Sequence, residues 1–168
     1  MELFASICGI FAIVLSAFGM SSRNVKRSKI LIGLGVLCVT PDLYVSGGLH
    51  GAWQTLFIAA LFFIGALGYK KWERWLKVIL PIFTFYLLYQ LQEVSGWLLV
   101  LAGILTPMAT IIHDNVKMKL TLAVSVLCWL SYAYIHGAWY TFVFDVVAIC
   151  AIGYSLFKEY RFENIASK

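Results

Sequence analysis

The sequence predicts an all-α polytopic membrane protein in which seven transmembrane helices form two parallel three-helix repeats joined by a linker helix. Three observations predict it: an apolar composition, the positions of the basic residues, and an internal duplication. Of 168 residues, 62% are hydrophobic and 12% charged, which leaves too little polar surface to wrap a soluble globule. A bilayer-crossing helix needs roughly 20 mostly apolar residues, so seven crossings consume nearly the whole chain and leave no separate soluble domain.

Read outward from the polar interruptions, the spans are expected at about 3–20, 30–48, 51–69, 76–92, 95–112, 119–136 and 138–157. The first begins at Met1-Glu2-Leu3-Phe4, which has no basic stretch and no small-residue cleavage site after it, so it is read as a span and not as a removable signal. Its Ala5, Gly9, Ala12, Ser16 and Gly19 form a small-residue packing seam. In the second, Pro41 beside Asp42 is expected to break the helix and admit water. The third opens at His50-Gly51-Ala52-Trp53. The fourth is short and contains Pro81, Tyr86, Tyr89 and Gln90, so hydropathy alone would merge it with its neighbour.

Charge separates the fourth span from the fifth. The 13 Lys and Arg residues are Arg23, Lys26, Arg27 and Lys29; Lys70, Lys71, Arg74 and Lys77; Lys117 and Lys119; and Lys158, Arg161 and Lys168. Basic residues collect on the cytoplasmic side, so the stretch between Lys77 and Lys117 must cross an even number of times. Two crossings fit, with Gln92-Glu93-Val94-Ser95 as the outer turn. The amino terminus is then outside and the carboxyl terminus cytoplasmic. All 13 cations serve as topology markers and anionic-lipid contacts on this reading, which removes the case for nucleic-acid binding that a net charge of +5 would otherwise raise.

The duplication pairs His50-Gly51-Ala52-Trp53-Gln54-Thr55 with His136-Gly137-Ala138-Trp139-Tyr140-Thr141, and Gly68-Tyr69 with Gly153-Tyr154. Upstream, Asn24-Val25-Lys26 matches Asn115-Val116-Lys117, and Val36-Leu37-Cys38 matches Val126-Leu127-Cys128. The matches keep one order while their offset drifts from 91 to 90, 86 and 85, as after small insertions. Spans one to three (residues 1–69) thus correspond to spans five to seven (94–157), with 70–93 as linker and 158–168 as a cytoplasmic tail. Equivalent helices lie an even number of crossings apart, so both units cross in the same direction, one of the layouts used by transporters.

The three-plus-one-plus-three layout, the basic loop after span one, the Leu127-Cys128-Trp129 stretch in span six and the glycine-containing turn before span seven resemble the YgjV family of bacterial inner-membrane proteins. More distantly, the chain is similar to the SWEET, PQ-loop and PnuC-type transporters, which move sugars, amino acids or nicotinamide riboside. The resemblance to the YgjV family implies an inner-membrane location and carries no activity with it; the more distant similarity implies a transport role. The Pro-Gln signature of the PQ-loop group is absent: Pro107 stands without Gln in span five, and its counterpart in span one is Ser16. No substrate or gating residue is therefore carried over.

The residues themselves point to a pocket between the two units. Asp145 and Asp42 are the carboxyl groups well inside apolar spans, where an Asp costs roughly 2.5–3.5 kcal/mol and so calls for a partner. The candidates are the imidazoles of His50 and His136, water, a cationic solute or a bound proton. Ala138, Thr141, Asp145, Ala148, Ile152 and Ser155 recur at helical spacing on span seven, and Ala52, Thr55, Ala59 and Ala66 repeat part of that stripe on span three. Such faces point into a bundle. The alternative to a solute cavity is tight packing with Asp145 tied to neighbouring hydroxyls.

His50 and His136 are read as polar helix starters at the outer boundary, with pH sensing or solute binding as the alternative. Trp53 and Trp139 are interfacial anchors or a stacked pair across the pocket. Pro81 and Pro107 are candidate hinges. Cys8, Cys38, Cys128 and Cys150 lie in apolar runs without metal-ligand spacing and are read as small hydrophobes. No enzyme motif, metal site or cofactor is expected. The expected function is transport of a small polar solute, neutral or cationic, by alternating access. A non-transporting membrane scaffold is the alternative.

Overall fold

On α1 (Glu2–Ser21) the residues that meet the rest of the protein are, apart from Met20, small ones: Ala5, Gly9, Ala12, Ser16 and Gly19 are buried, while Leu3, Phe4, Ile7, Ile10, Phe11 and Phe18 are exposed. A bilayer favours this arrangement, because lipid tails accommodate large apolar side chains and close helix approach needs small ones. The computed structural model describes residues 2–22, 24–68, 70–91, 94–112 and 114–166. Within them six more helices follow: α2 (Val25–Val45), α3 (Leu49–Leu67), α4 (Lys70–Leu91), α5 (Val94–Ile111), α6 (Asn115–His136) and α7 (Trp139–Ala166). No strand occurs among the described residues, so the chain is all-helical there. Arg23, Tyr69, Gln92, Glu93 and Lys168, which entered the charge, repeat and turn assignments, lie outside the described residues.

Five helices, α1, α2, α3, α6 and α7, are long and apolar enough to cross a membrane, and α5 holds a shorter apolar stretch, Ser95–Ala109. The remaining helix, α4, starts with Lys70, Lys71, Arg74 and Lys77, and its apolar part follows them.

Helices α2, α4 and α6 begin four to six residues before the apolar runs that announced them. For two of them the cause is capping: the Asn24 side chain accepts from the Arg27 N–H at 3.1 Å, and the Asp114 side chain accepts from the Lys117 N–H at 2.8 Å. Each cap satisfies a free N–H of the first turn inside the basic segment, ahead of the membrane-facing residues. At the other end of the chain, α7 runs on through most of the predicted tail. Pro41 does not break α2, which continues to Val45. The turn after the proline is held from outside by the bonds of Asp42 to α7, described below.

The two turns that reverse the chain next to the candidate site each use a left-handed glycine, Gly47 (φ 85°) between α2 and α3 and Gly137 (φ 67°) between α6 and α7. An L side chain is strained there and glycine is not. These turns also separate the two His-Gly-Ala-Trp strings. In the first, His50-Gly51-Ala52-Trp53 lies within α3; in the second, His136 ends α6, Gly137 is the turn, and Trp139 opens α7. The sequence match therefore overlays places that differ by about one helical turn.

Helix α1 packs on α2 and α7, α2 on α3, α3 on α5, α5 on α6, and α6 on α7, so six helices close a ring. Helix α4 sits outside it against α3 and α5, with Phe83 tilted on Phe57 at a ring distance of 5.0 Å. The seam between α1 and α7 is tight. A Cβ on Gly9 would lie 2.5 Å from Cβ of Tyr140.

Candidate functional site inside the helical ring

Every member of the predicted α7 stripe is buried: Ala138, Thr141, Asp145, Ala148, Ile152 and Ser155. So are Ala52, Thr55, Ala59 and Ala66 on α3. Helical spacing turned these faces inward, and between them lies a cavity of about 40 Å³. All six ring helices contribute to its wall, with Met20 from α1, Ile32, Val36 and Val39 from α2, Thr55, Ile58 and Phe62 from α3, Thr106 from α5, Leu122, Ser125, Val126 and Trp129 from α6, and Thr141, Phe144 and Asp145 from α7. Most of the wall is apolar. The residues with polar groups in it are Asp145, the hydroxyl-bearing Thr55, Thr106, Ser125 and Thr141, and Trp129 with its indole N–H.

The two buried aspartates have different surroundings. Asp42 Oδ2 accepts from the backbone N–H of Thr141 at 2.8 Å and from its hydroxyl at 2.7 Å. Thr141 is the third residue of α7, so its N–H is one that the helix cannot satisfy itself, and a carboxylate is favoured at that positive helix end. Asp145, 3% exposed, has no hydrogen-bond partner for Oδ2 among the described residues. Asp42 and Thr141, both expected from the sequence to face the interior, are in direct contact in the structure.

Tyr132, absent from the sequence reading, makes the matching contact on the other side. Its hydroxyl accepts from the N–H of Gly51, the third residue of α3, at 3.3 Å. Glycine is needed for this approach, since a Cβ there would lie 2.5 Å from Cε1 of Tyr132. A further link joins α3 to α5, where Gln54 Nε2 donates to the Leu99 carbonyl at 2.8 Å.

His50, His136, Trp53 and Trp139, the other residues that the sequence offered for the pocket, are not among those lining the cavity. His50 is half-buried in the first turn of α3, and His136 ends α6 with its ring 4.3 Å from that of Tyr132. Trp53 is 52% and Trp139 61% exposed. They form no stacked pair across the pocket: Trp139 packs against Tyr134 and Phe142, and Trp53 borders an open apolar groove of about 430 Å³ on the outside of α2 and α3. Helical phase explains this, because Trp139 and Trp53 are each two residues from the inward positions Thr141 and Thr55. Pro81 lies within α4, outside the ring, and Pro107 is buried within α5. Cys8, Cys38 and Cys128 are half-buried, Cys150 is exposed, and all four are free thiols.

The basic residues hold a second difference. Lys29 and Lys119, the fifth residues of α2 and α6, are buried instead of facing the membrane surface. The Lys119 ammonium donates to Ser155 Oγ at 2.5 Å and pairs with Glu159 at 3.3 Å, and Asn115 also donates to that carboxylate. A long aliphatic stem lets a lysine lie along apolar surface while its head finds partners, which charge counting cannot foresee.

No curated protein and no solved structure matches the chain. A family profile described as "Imp-YgjV: Bacterial inner membrane protein" matches residues 3–163, in keeping with the several membrane-length helices of the fold. Matched over nearly its whole length, the chain belongs to the Imp-YgjV family of bacterial inner membrane proteins.

Proposed function

We propose that the protein is a transporter of a small polar solute, neutral or cationic, that passes between two triple-helix units by alternating access. The observation that carries this is the cavity between the ring helices, with the buried and incompletely bonded Asp145 among its lining residues. An ionisable group within membrane-spanning helices is expensive, and where it faces an internal cavity it marks a solute or ion path.

The units are residues 1–69 and 94–157, with α4 as linker. Support comes from a constant spacing of 90 positions between the ends of α1 and α5 (Ser21, Ile111), the turn glycines (Gly47, Gly137) and the starts of α3 and α7 (Leu49, Trp139). The same spacing relates Asp42 to Tyr132 and Gly51 to Thr141, so each unit reaches from its middle helix to a free N–H on the last helix of the other. It also relates the buried Lys29 to Lys119. These two reciprocal contacts close the end of the ring that carries the glycine turns, and opening that end requires breaking them.

The glycine-turn end faces outward and the carboxyl terminus inward on this proposal, because the basic residues gather toward the opposite helix ends, among them Lys26, Arg27, Lys70, Lys71, Lys117 and Lys158. A reporter enzyme fused after Glu93 should be active outside the cytosol; activity only in the cytosol refutes the orientation. Uptake of labelled candidate solutes into vesicles is expected to fall at least tenfold in Asp145→Asn, and equal flux in both proteins refutes the role of Asp145. A non-transporting scaffold is the second reading, favoured by the small size of the cavity. It predicts no flux for any solute and a loss of thermal stability in Asp145→Asn.

A further inference from the structure

We propose that the ring pivots at its glycine-turn end and has its gate at the opposite end, so that the cavity opens first away from the turns, toward the cytoplasm on the orientation above. The inference rests on the transport reading and names the direction of its first movement. Two independent observations carry it: which helices the hydrogen bonds join, and where glycine lets two helices touch.

Near the glycine turns, bonds cross between residues 1–69 and 94–157. Asp42 on α2 accepts from both donors of Thr141 on α7, Tyr132 on α6 accepts from Gly51 on α3, and Gln54 on α3 donates to the Leu99 carbonyl on α5. Toward the opposite end, other bonds stay inside one unit. Ser28 on α2 donates to the Gly19 carbonyl on α1 at 2.7 Å, Thr106 on α5 shares a bond of 2.7 Å with Ser125 on α6, and Lys119 and Asn115 on α6 donate to Ser155 and Glu159 on α7. The first set ties the units together, and the second stiffens each unit by itself. Close packing follows the same division. Between the units, an added Cβ would lie 2.5 Å from Tyr140 at Gly9, 2.5 Å from Tyr132 at Gly51 and 2.9 Å from Phe144 at Gly35, which stands midway along α2. Within residues 1–69, close approaches continue further from the turns, with 3.1 Å to Ile32 at Gly19 and 3.1 Å to Phe62 at Gly33.

On the side away from the turns the cavity is closed by apolar side chains. Met20 near the end of α1, Ile32 on α2 and Leu122 on α6 line it there and pack with Met118 in one buried cluster. Ile32 and Leu122 are each the eighth residue of their helix, so both units place an aliphatic side chain at the same level. A hydrogen bond weakens steeply once its geometry is lost. Apolar contact has no direction, and methionine readjusts as its neighbours slide. A rocking motion thus costs least when it pivots on the bonded end and parts the apolar one. A rotation of about 15°, the size known for rigid-body switches, displaces the far end of a helix about 30 Å long by about 8 Å.

Pulsed electron spin resonance distances in the full-length protein, reconstituted in lipid nanodiscs with Cys8, Cys38, Cys128 and Cys150 replaced by Ala, test this. One label pair, Arg27→Cys with Lys117→Cys, reports on the gate, and another, Val45→Cys with Ile135→Cys, on the pivot; all four positions are exposed. The gate pair should show a second population about 8 Å longer than the first, and the pivot pair a single narrow one. Ile32→Trp, which overfills the apolar closure, should raise the long population at the gate severalfold. Leu122→Ser, which weakens the same closure, should do likewise and serves if the tryptophan variant does not fold. A single distance at the gate pair in the parent protein and in both variants, or a second population at the pivot pair as large as that at the gate, overturns the inference. The two readings separate cleanly: gate movement without flux of any solute sustains the pivot and ends the transport reading, whereas flux with movement at the pivot pair alone ends the pivot and leaves transport standing.

Discussion

Asp42 and Asp145 are the same side chain, buried to a similar degree in one bundle, yet one is held by two strong donors and the other has an oxygen with no partner. The difference lies in where each meets α7. Asp42 arrives at its first turn, where backbone N–H groups are free. Asp145 belongs to the next turn, where the helix uses its own N–H groups and the neighbouring hydroxyls have given their protons to other acceptors. Helix ends supply donors and helix middles do not. A buried acid at an end can therefore serve the fold, while one in the middle is left available for a ligand.

The largest effect that would break this comparison belongs to Asp42→Ala, which leaves the Thr141 N–H and hydroxyl without an acceptor. Loss of hydrogen bonds to a charged group predicts a destabilisation of about 3 kcal/mol, seen as the steepest fall in detergent melting temperature among these variants. If Asp42→Ala melted like the unaltered protein, Asp42 would not be the structural member of the pair. Tyr132→Phe removes one neutral bond to the Gly51 N–H and should cost about 1 kcal/mol, measured in the same way. A cost as large as that of Asp42→Ala would mean that the phenol contributes as much as the carboxyl group to holding this end of the ring closed. Asp145→Asn should be smallest, within about 0.5 kcal/mol of the unaltered protein, since its Oδ2 has no bond to lose. A large loss there would transfer Asp145 to the structural class and favour the scaffold.

Much of this site could be read along the chain. The α7 stripe from Ala138 to Ser155 is buried throughout because residues three and four apart share a helix face, and the α1 seam from Ala5 to Gly19 followed the same rule. Thr141 and Asp145 were found in this way. The stacked alternative for Trp53 and Trp139 fails because each lies two residues from an inward position, Thr55 and Thr141, and is exposed. Lys119 was counted as a surface charge although it lies among Asn115, Ser155 and Glu159. No local pattern distinguishes a lysine that reaches lipid headgroups from one that reaches a carboxylate 40 residues away.

Sequence alone determined that this is an all-helical membrane protein, and it identified which faces of α1, α3 and α7 turn inward, because apolar content and 3.6-residue periodicity are properties of each segment by itself. Only the closed ring decided which polar groups meet. Asp42 and Thr141 are 99 positions apart, and Gly51 and Tyr132 are 81; their bonds exist because folding carries the free N–H groups at the starts of α3 and α7 to side chains of α6 and α2. The same closure spent the protons of Thr55, Thr106 and Ser125 on neighbouring oxygens and left Oδ2 of Asp145 without a partner, an outcome set by directions and distances that a linear order of residues does not contain.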